Sequence, residues 1–572
     1  MNVQGEVARV ECHPNVTRPP PSPARFRGMT LRALRAALGA FAVALPATLV
    51  AQQPKPTLVV QITIDQLRPD YLDKWAPQFT GGLKRLLQQG AFFTQAYHEH
   101  ATTETAPGHA TLWSGRTPSH HGIVLNVRGV ADAQMPLVLG RGGGASPWRF
   151  RGSALFDWIR ARDQFSRALS VSRKDRGAIL PLGKAKQQVY WYGLDGRFTT
   201  SRYYADTLPG WVQQFNARDL GAQYLGKTWT PLLADAEYPE KDSVSFEHEG
   251  TNIAFPHPLV TDRRRGLDSL TAYPWMDELT VDMALAGVVA MDLGKGPTTD
   301  VLAVSLSTTD AVGHAWGPDS KELHDQVLRV DRALGRLIDS LYTLRDSSRI
   351  VFALGSDHGV TPMPEAQFPG TDPRRGRVDV RPVIDAARSA LVARGVETDA
   401  LTYTDELLIV DRPRLAASGI NADSTVTSIR NALLKLPGMA NVYRVRDLPR
   451  LAATDKLARR WRNALPADMQ VELAVTFKQG YYAQTTTYAS HGTPYDLDAH
   501  IPVLFMGPGV KPGRYTMPVR SVDVAPTLAA LAQVIPFARL RRTALWRAAY
   551  AQLACAAADR PAGHPARRTV AA

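Results

Sequence analysis

Thr57-Leu58-Val59-Val60-Gln61-Ile62-Thr63-Ile64-Asp65 is an apolar, β-branched run that stops at a carboxylate. It lacks the alternation of a half-exposed strand, so it reads as a strand buried on both faces of a sheet. Two later segments repeat the arrangement. Val301-Leu302-Ala303-Val304-Ser305-Leu306 leads to Asp310, and Ile350-Val351-Phe352-Ala353-Leu354 leads to Asp357-His358. Between them, Lys321 to Tyr342 carries Leu323, Val327, Val330, Leu334, Leu337, Ile338 and Leu341 at helical spacing. Strand, helix, strand in that order predicts a right-handed crossover and a largely parallel α/β sheet. Ligands of open α/β sheets bind beyond the carboxyl ends of the strands, which is where these aspartates would stand.

Outward from this centre, the stretch 359–490 has strand and helix patterns of its own. Leu407 to Val410 and Val442 to Val445 read as strands and Ser424 to Leu436 as a helix, which together predict an inserted α+β cap subdomain. The main sheet resumes at Ile501 to Met506. From Pro536 onward the chain becomes rich in Ala and Arg, and 536–572 reads as a basic tail, either non-native or a helical extension. At the other end, Arg32 and Arg35 precede an apolar run from Ala36 to Ala51, the pattern of a secretory signal peptide over 29–51. Pro46 and the short run argue against a membrane span. Met29 stands where a start codon would, so residues 1–28 read as a leader or an over-extended gene start. The expected location is periplasmic or secreted, with the catalytic body over 57–535.

The net charge of +14 raises the question of a nucleic-acid or membrane partner, but its distribution answers otherwise. Residues 1–51 contribute +4 and residues 536–572 contribute +6, which leaves +4 for the long middle. Cys12 and Cys555 are the two cysteines, both in the end segments. A disulfide framework, a cysteine-ligated zinc site and a cysteine nucleophile are therefore excluded for the core. Gly140-Arg141-Gly142-Gly143-Gly144 lacks the Lys-Ser/Thr ending of a phosphate-binding loop, and no segment supports nucleic-acid readout.

Asp310 and His314 are four residues apart, so one helical turn puts both side chains on the same side. Asp357-His358 follows a buried strand, and His491 lies in a Gly-Thr-Pro loop. Each alone could be a cap or a satisfied core residue; with Asp65 they make three Asp and three His. That donor set suits divalent first-row metals, Zn²⁺ foremost, whereas Mg²⁺ or Ca²⁺ favours oxygen-only shells. Two such ions can stabilise both the attacking and the leaving oxygen of an in-line phosphoryl displacement. In Thr105-Ala106-Pro107-Gly108-His109 through Gly115, Thr105 stands at a predicted N-cap, Pro107 in the first turn and Gly115 at the helix end. A helix start favours negative charge, which makes Thr105 the candidate nucleophile.

These motifs, taken in order, are Thr63-Ile64-Asp65-Gln66, Thr105 to His109 with His121-Gly122-Ile123, Thr309-Asp310 with Gly313-His314, Ser356-Asp357-His358-Gly359 and Ser490-His491-Gly492-Thr493. Together they resemble the alkaline phosphatase superfamily, and within it the threonine-nucleophile branch of PafA-type alkaline phosphatases and nucleotide pyrophosphatase/phosphodiesterases. The resemblance runs from about Pro56 to Ala532 and implies a three-layer sandwich with two Zn²⁺ per chain. It implies one zinc on Asp310, His314 and His491, and the other on Asp65, Asp357 and His358 with Thr105 joining it; His109 would be structural. Lys174-Asp175-Arg176-Gly177 resembles the segment by which PafA-type monoesterases bring a Lys and an Arg to the phosphate, and Asn126 matches their amide contact. A monoester dianion carries one more charge than a diester, so these cations favour it.

The implied function is zinc-dependent hydrolysis of small phosphate monoesters through a phosphothreonine. The alternatives are a phosphodiesterase or nucleotide pyrophosphatase, and, more remotely, a secreted binding protein on a dead scaffold. A sulfatase is disfavoured because no Cys/Ser-x-Pro/Ala-x-Arg motif occupies the Thr105 position. Val127-Arg128 follows Asn126 where relatives often place an aromatic.

Overall fold

The structure, a computed structural model, describes residues 55–536 except Pro373, Arg374 and Thr487. The segments read as a leader and a signal peptide, and all but the first residue of the one read as a basic tail, lie outside the described residues. Seven strands make the body of the main sheet: β1 (Leu58–Ile64), β2 (Ala91–Tyr97), β3 (Ala168–Ser172), β4 (Gln188–Tyr192), β5 (Asp300–Leu306), β6 (Ile350–Gly355) and β7 (His500–Met506). Across the sheet they run β2, β7, β6, β1, β5, β3, β4, and three short strands complete a ten-stranded sheet.

β1 is buried at all seven positions, as its unbroken apolar run requires, and pairs in parallel with β5 on one side and β6 on the other. Alternate side chains serve opposite faces. Leu58, Val60, Ile62 and Ile64 join one core, while Val59 joins the other. On the first face lies the helix α3 (Lys321–Leu344), which buries Leu323, Val327, Val330, Leu334, Leu337, Ile338 and Leu341. Each such side chain contributes roughly 1.5–3 kcal/mol of burial. On the second face lies α1 (Thr105–Ser114), tied to β1 by Trp113 Nε1 donating to Thr63 Oγ1 at 3.0 Å. Helix, sheet and helix form the three layers expected.

The sheet is mixed, and this refines the expectation. β7 runs antiparallel to both β2 and β6, because it returns from the long 359–490 stretch and not from a helical crossover. Periodicity reports burial but not direction, so the sequence did not reveal it. Within that stretch, Leu401–Thr404, Leu407–Val410, Val471–Phe477 and Met439–Arg444 form a separate four-stranded sheet. Its helix spans Ala422–Leu433, two residues earlier than predicted, because the Asn421 side chain accepts from Ser424 N at 2.9 Å and starts it there. Among the described residues no helix is long and apolar enough to cross a membrane.

The consequence for chemistry is positional. β6, β1, β5 and β3 are adjacent and parallel, so their carboxyl ends share one rim. The residues that follow them are Asp357-His358, Asp65-Gln66, Asp310 and Lys174 respectively. β2, parallel to β6 through the intervening antiparallel β7, leads at the same rim to Thr105.

Candidate active site

Asp310 and His314 stand on α2 (Thr308–Trp316), one turn apart, with His314 Nε2 3.2 Å from Asp310 Oδ1. His491 arrives from its loop with Nε2 3.6 Å from the same oxygen. The second set is Asp65, Asp357 and His358, where His358 Nε2 lies 3.4 Å from Asp65 Oδ1 and 3.8 Å from Asp357 Oδ2. Within each triad, three donor atoms lie within 4.8 Å of one another. The His358 and His491 rings stack at 3.6 Å, so the triads share a wall.

The histidines are fixed from behind. Nδ1 of His314 bonds to Ala489 O at 2.5 Å, Nδ1 of His358 to Gly359 O at 2.9 Å and Nδ1 of His491 to Thr103 O at 2.9 Å. A carbonyl only accepts, so each Nδ1 carries a proton and each Nε2 is turned toward the carboxylates. This is the backing that metal-ligating histidines receive.

Charge supports the same reading. Burial opposes ionisation of Asp310, yet Lys174 and His314 hold its carboxyl well below the usual range. Burial and Asp310 oppose ionisation of Asp65, and Lys174 and His358 outweigh them. Asp357 goes the other way, pushed up by burial and then by the Asp65 charge. Burial also disfavours a charged His358 ring, but Asp357 and Asp65 raise it to about 9. Asp65 Oδ1 and His358 Nε2 are buried without a hydrogen-bond partner. The unpartnered Asp65 Oδ1 and His358 Nε2 are donor atoms that a cation would satisfy, and the two clusters of Asp and His donors fit two divalent ions. The two triads thus make a binuclear metal-site candidate.

Thr105 is buried at the first turn of α1. The cap residue is Glu104, not Thr105, so the predicted N-cap moves back by one: Glu104 has the extended backbone of a cap, and Thr105 is the first helical residue. The threonine still lies in the positive end of the helix, where an alkoxide is favoured. α1 can approach the second triad because residue 108 is glycine; a Cβ there would fall 2.1 Å from Asp357 O. Gly115, at φ +66°, ends the helix as predicted. His109 braces it, with Nδ1 3.0 Å from Asp357 Oδ2 and Nε2 2.9 Å from Ser305 Oγ.

Lys174 is the residue common to all parts. Its Nζ is 2.6 Å from Asp65 Oδ2, 2.6 Å from Asp310 Oδ2 and 3.3 Å from Thr105 Oγ1. Asn126 Oδ1 accepts from Ala106 N at 2.8 Å, which leaves its amide NH₂ to donate beside the Thr105 turn. Arg176, in the first turn of Asp175–Ile179, has Nη1 3.6 Å from Asp175 Oδ1, and its charge acts on Glu104.

Four contributors were not foreseen. Gln66 donates from Nε2 to Asp310 Oδ1 at 3.0 Å and from its backbone N to Asp357 Oδ1 at 3.1 Å. Arg173 brings Nη2 to 3.9 Å from Asp310 Oδ2. Glu104 accepts from Asn126 N at 2.7 Å, and its carboxyl is pushed up to about 7 by burial and then by Asp405. His98 Nε2 bonds to Ser356 O at 3.1 Å, beneath the Asp357 turn. Gln66 lies within a quoted motif, and Arg173 and Glu104 adjoin Lys174 and Thr105, the one available hint; His98 offered none.

Comparison with known proteins agrees with this geometry. The family described as type I phosphodiesterase / nucleotide pyrophosphatase matches residues 59–372. Alkaline phosphatase PhoV of Synechococcus elongatus is 30% identical over 503 residues, covering 84% of this chain and 90% of the relative. Alkaline phosphatase PafA of Elizabethkingia meningoseptica is 29% identical over 517 residues, covering 84% and 92%. The crystal structure of wild-type PafA superposes with a TM-score of 0.77 at 27% identity, covering 84% of this chain and 96% of that one. The chain belongs to the type I phosphodiesterase / nucleotide pyrophosphatase family of phosphoester hydrolases, on the PafA-type branch of the alkaline phosphatase superfamily.

Proposed function

We propose that the protein is a zinc-dependent alkaline phosphatase that hydrolyses small phosphate monoesters through a phosphothreonine at Thr105, acting in the periplasm or outside the cell. The observation that carries the monoester reading is the Lys174 ammonium, 3.3 Å from Thr105 Oγ1 and in contact with both triads. A fixed cation at that point meets the extra charge that distinguishes a monoester from a diester.

Asp310, His314 and His491 would hold one zinc, and Asp65, Asp357 and His358 with Thr105 the other. Bound there, the ions supply Lewis acidity to the attacking and leaving oxygens. The Thr105 Oγ1–phosphorus bond forms as the bond to the leaving alkoxide breaks; water then cleaves the phosphothreonine, giving phosphate and restoring Thr105. Lys174, the Asn126 amide and Arg176 act on the non-bridging oxygens, and the α1 N-terminus favours the alkoxide. The secreted location rests on the basic-then-apolar pattern of residues 29–51.

Thr105→Ala should keep both metals and lose turnover by on the order of 10⁶-fold, the scale seen when other covalent nucleophiles are deleted. Near-normal turnover in that variant would sink the assignment. The family's own description favours diesters as the second reading. Hydrolysis of an aryl phosphate against the matching diester at one pH, with and without chelator, separates the two.

A further inference from the structure

Gln66 occupies a backbone conformation that its side chain does not favour. Its φ is +66°, in the left-handed region that non-glycine residues adopt only when the surroundings over-determine them. The surroundings here are the two triads. From one residue, the backbone N–H reaches Asp357 Oδ1 at 3.1 Å and the side-chain Nε2 reaches Asp310 Oδ1 at 3.0 Å. Asp310 Oδ1 is also the oxygen that His314 Nε2 and His491 Nε2 face, at 3.2 and 3.6 Å. The side chain is buried, and a carboxylate neighbour fixes the amide so that its NH₂ points at Asp310.

Room for this amide is made on α2. A Cβ at residue 313 would lie 1.9 Å from Gln66 Oε1, so the glycine between Asp310 and His314 leaves the amide end of Gln66 where it stands, and a side chain there would push it aside. Gln66 Oε1 itself has no hydrogen-bond partner, so the contact that holds the side chain is the one to Asp310.

We infer that Gln66 is a positioning residue that couples the two triads, orienting Asp310 through its side chain and Asp357 through its backbone, with Gly313 as its clearance partner. The inference rests on the binuclear reading proposed above. Outer-shell partners of this kind orient a ligating carboxylate, and here Gln66 holds Asp310 Oδ1 while Lys174 stands 2.6 Å from Oδ2.

Gln66→Gly tests it cleanly, because glycine accepts φ +66° and deletes only the side-chain bond. Zinc stoichiometry and affinity, measured by chelator competition on the full chain, should show the second triad unchanged and the first weakened by roughly 10–100-fold. Thermal stability of the metal-free protein should hold or rise, whereas a merely structural Gln66 would lower it and leave zinc affinity alone. Gly313→Ala, which displaces the same amide without touching residue 66, should weaken the same site. Wild-type affinity at both sites in both variants would overturn the inference. Wild-type protein that binds fewer than two zinc ions would instead overturn the binuclear reading beneath it.

Discussion

The two triads use the same donor types but are built differently. Asp65, Asp357 and His358 hang from adjacent parallel strands, and their side chains are 0% exposed. Asp310, His314 and His491 come from a helix and a distant loop, and the His314 side chain is 26% exposed. The first is sheet-locked and buried, and the second is open on one side, with exposed Tyr488 edge-on to His314 at 5.4 Å. Under the proposed mechanism, the buried triad suits the attack by Thr105, and the open one suits a leaving group that must depart and a water that must enter.

That contrast can be broken experimentally. The largest expected effect is at the buried triad. Asp65→Asn should cost far more than the roughly 10–100-fold typical of an outer-shell loss, and added imidazole or acetate should restore little, because the Asp65 side chain is fully buried. Substantial rescue would show that this triad is not sealed. Lys174→Ala comes next. We expect a loss of roughly 10²–10³-fold in kcat/KM for an aryl phosphate and much less for the diester, and equal losses would remove Lys174 from substrate discrimination. His314→Ala should be milder, and external imidazole should recover part of its activity through the open side; failure of that rescue under saturating zinc would contradict the comparison.

The smallest effect concerns the support of the open triad. The loop bearing His248 and His257 packs both rings on Trp316, at the end of α2, at 4.7 and 4.9 Å. Within that loop, burial and then Glu322 and Asp242 push the Glu247 carboxyl from 4.5 to about 9. A raised acid binds its proton more tightly folded than unfolded. Its contribution is complete below about 4.5 and is lost as pH rises toward about 9. Melting temperature should fall across that window, and Glu247→Gln should flatten the slope by on the order of a few degrees. An unchanged slope would clear Glu247 of the role.

Much of this was legible in the sequence because strands that end in carboxylates are a pattern of composition. Asp65, Asp310 and Asp357 could be set on one rim from apolar runs alone, and Asp310 and His314 on one helix face from their spacing. The six candidate residues cluster as the two triads expected. What escaped were matters of direction and dihedral angle. Nothing in Ile501 to Met506 says that β7 runs antiparallel. Nothing in Gln66 announces φ +66°, and a glutamine beside a ligand aspartate looks like any polar neighbour. Thr105 is the residue type that favours a cap, yet the backbone puts the cap at Glu104, whose side chain makes no capping bond.

The carbonyls behind the three imidazoles have a consequence for reloading. Ala489, Gly359 and Thr103 belong to the chain's own framework, so the backbone sets which nitrogen of each ring faces the carboxylates. A sample stripped by chelator and kept folded should therefore regain its ions without a refolding step.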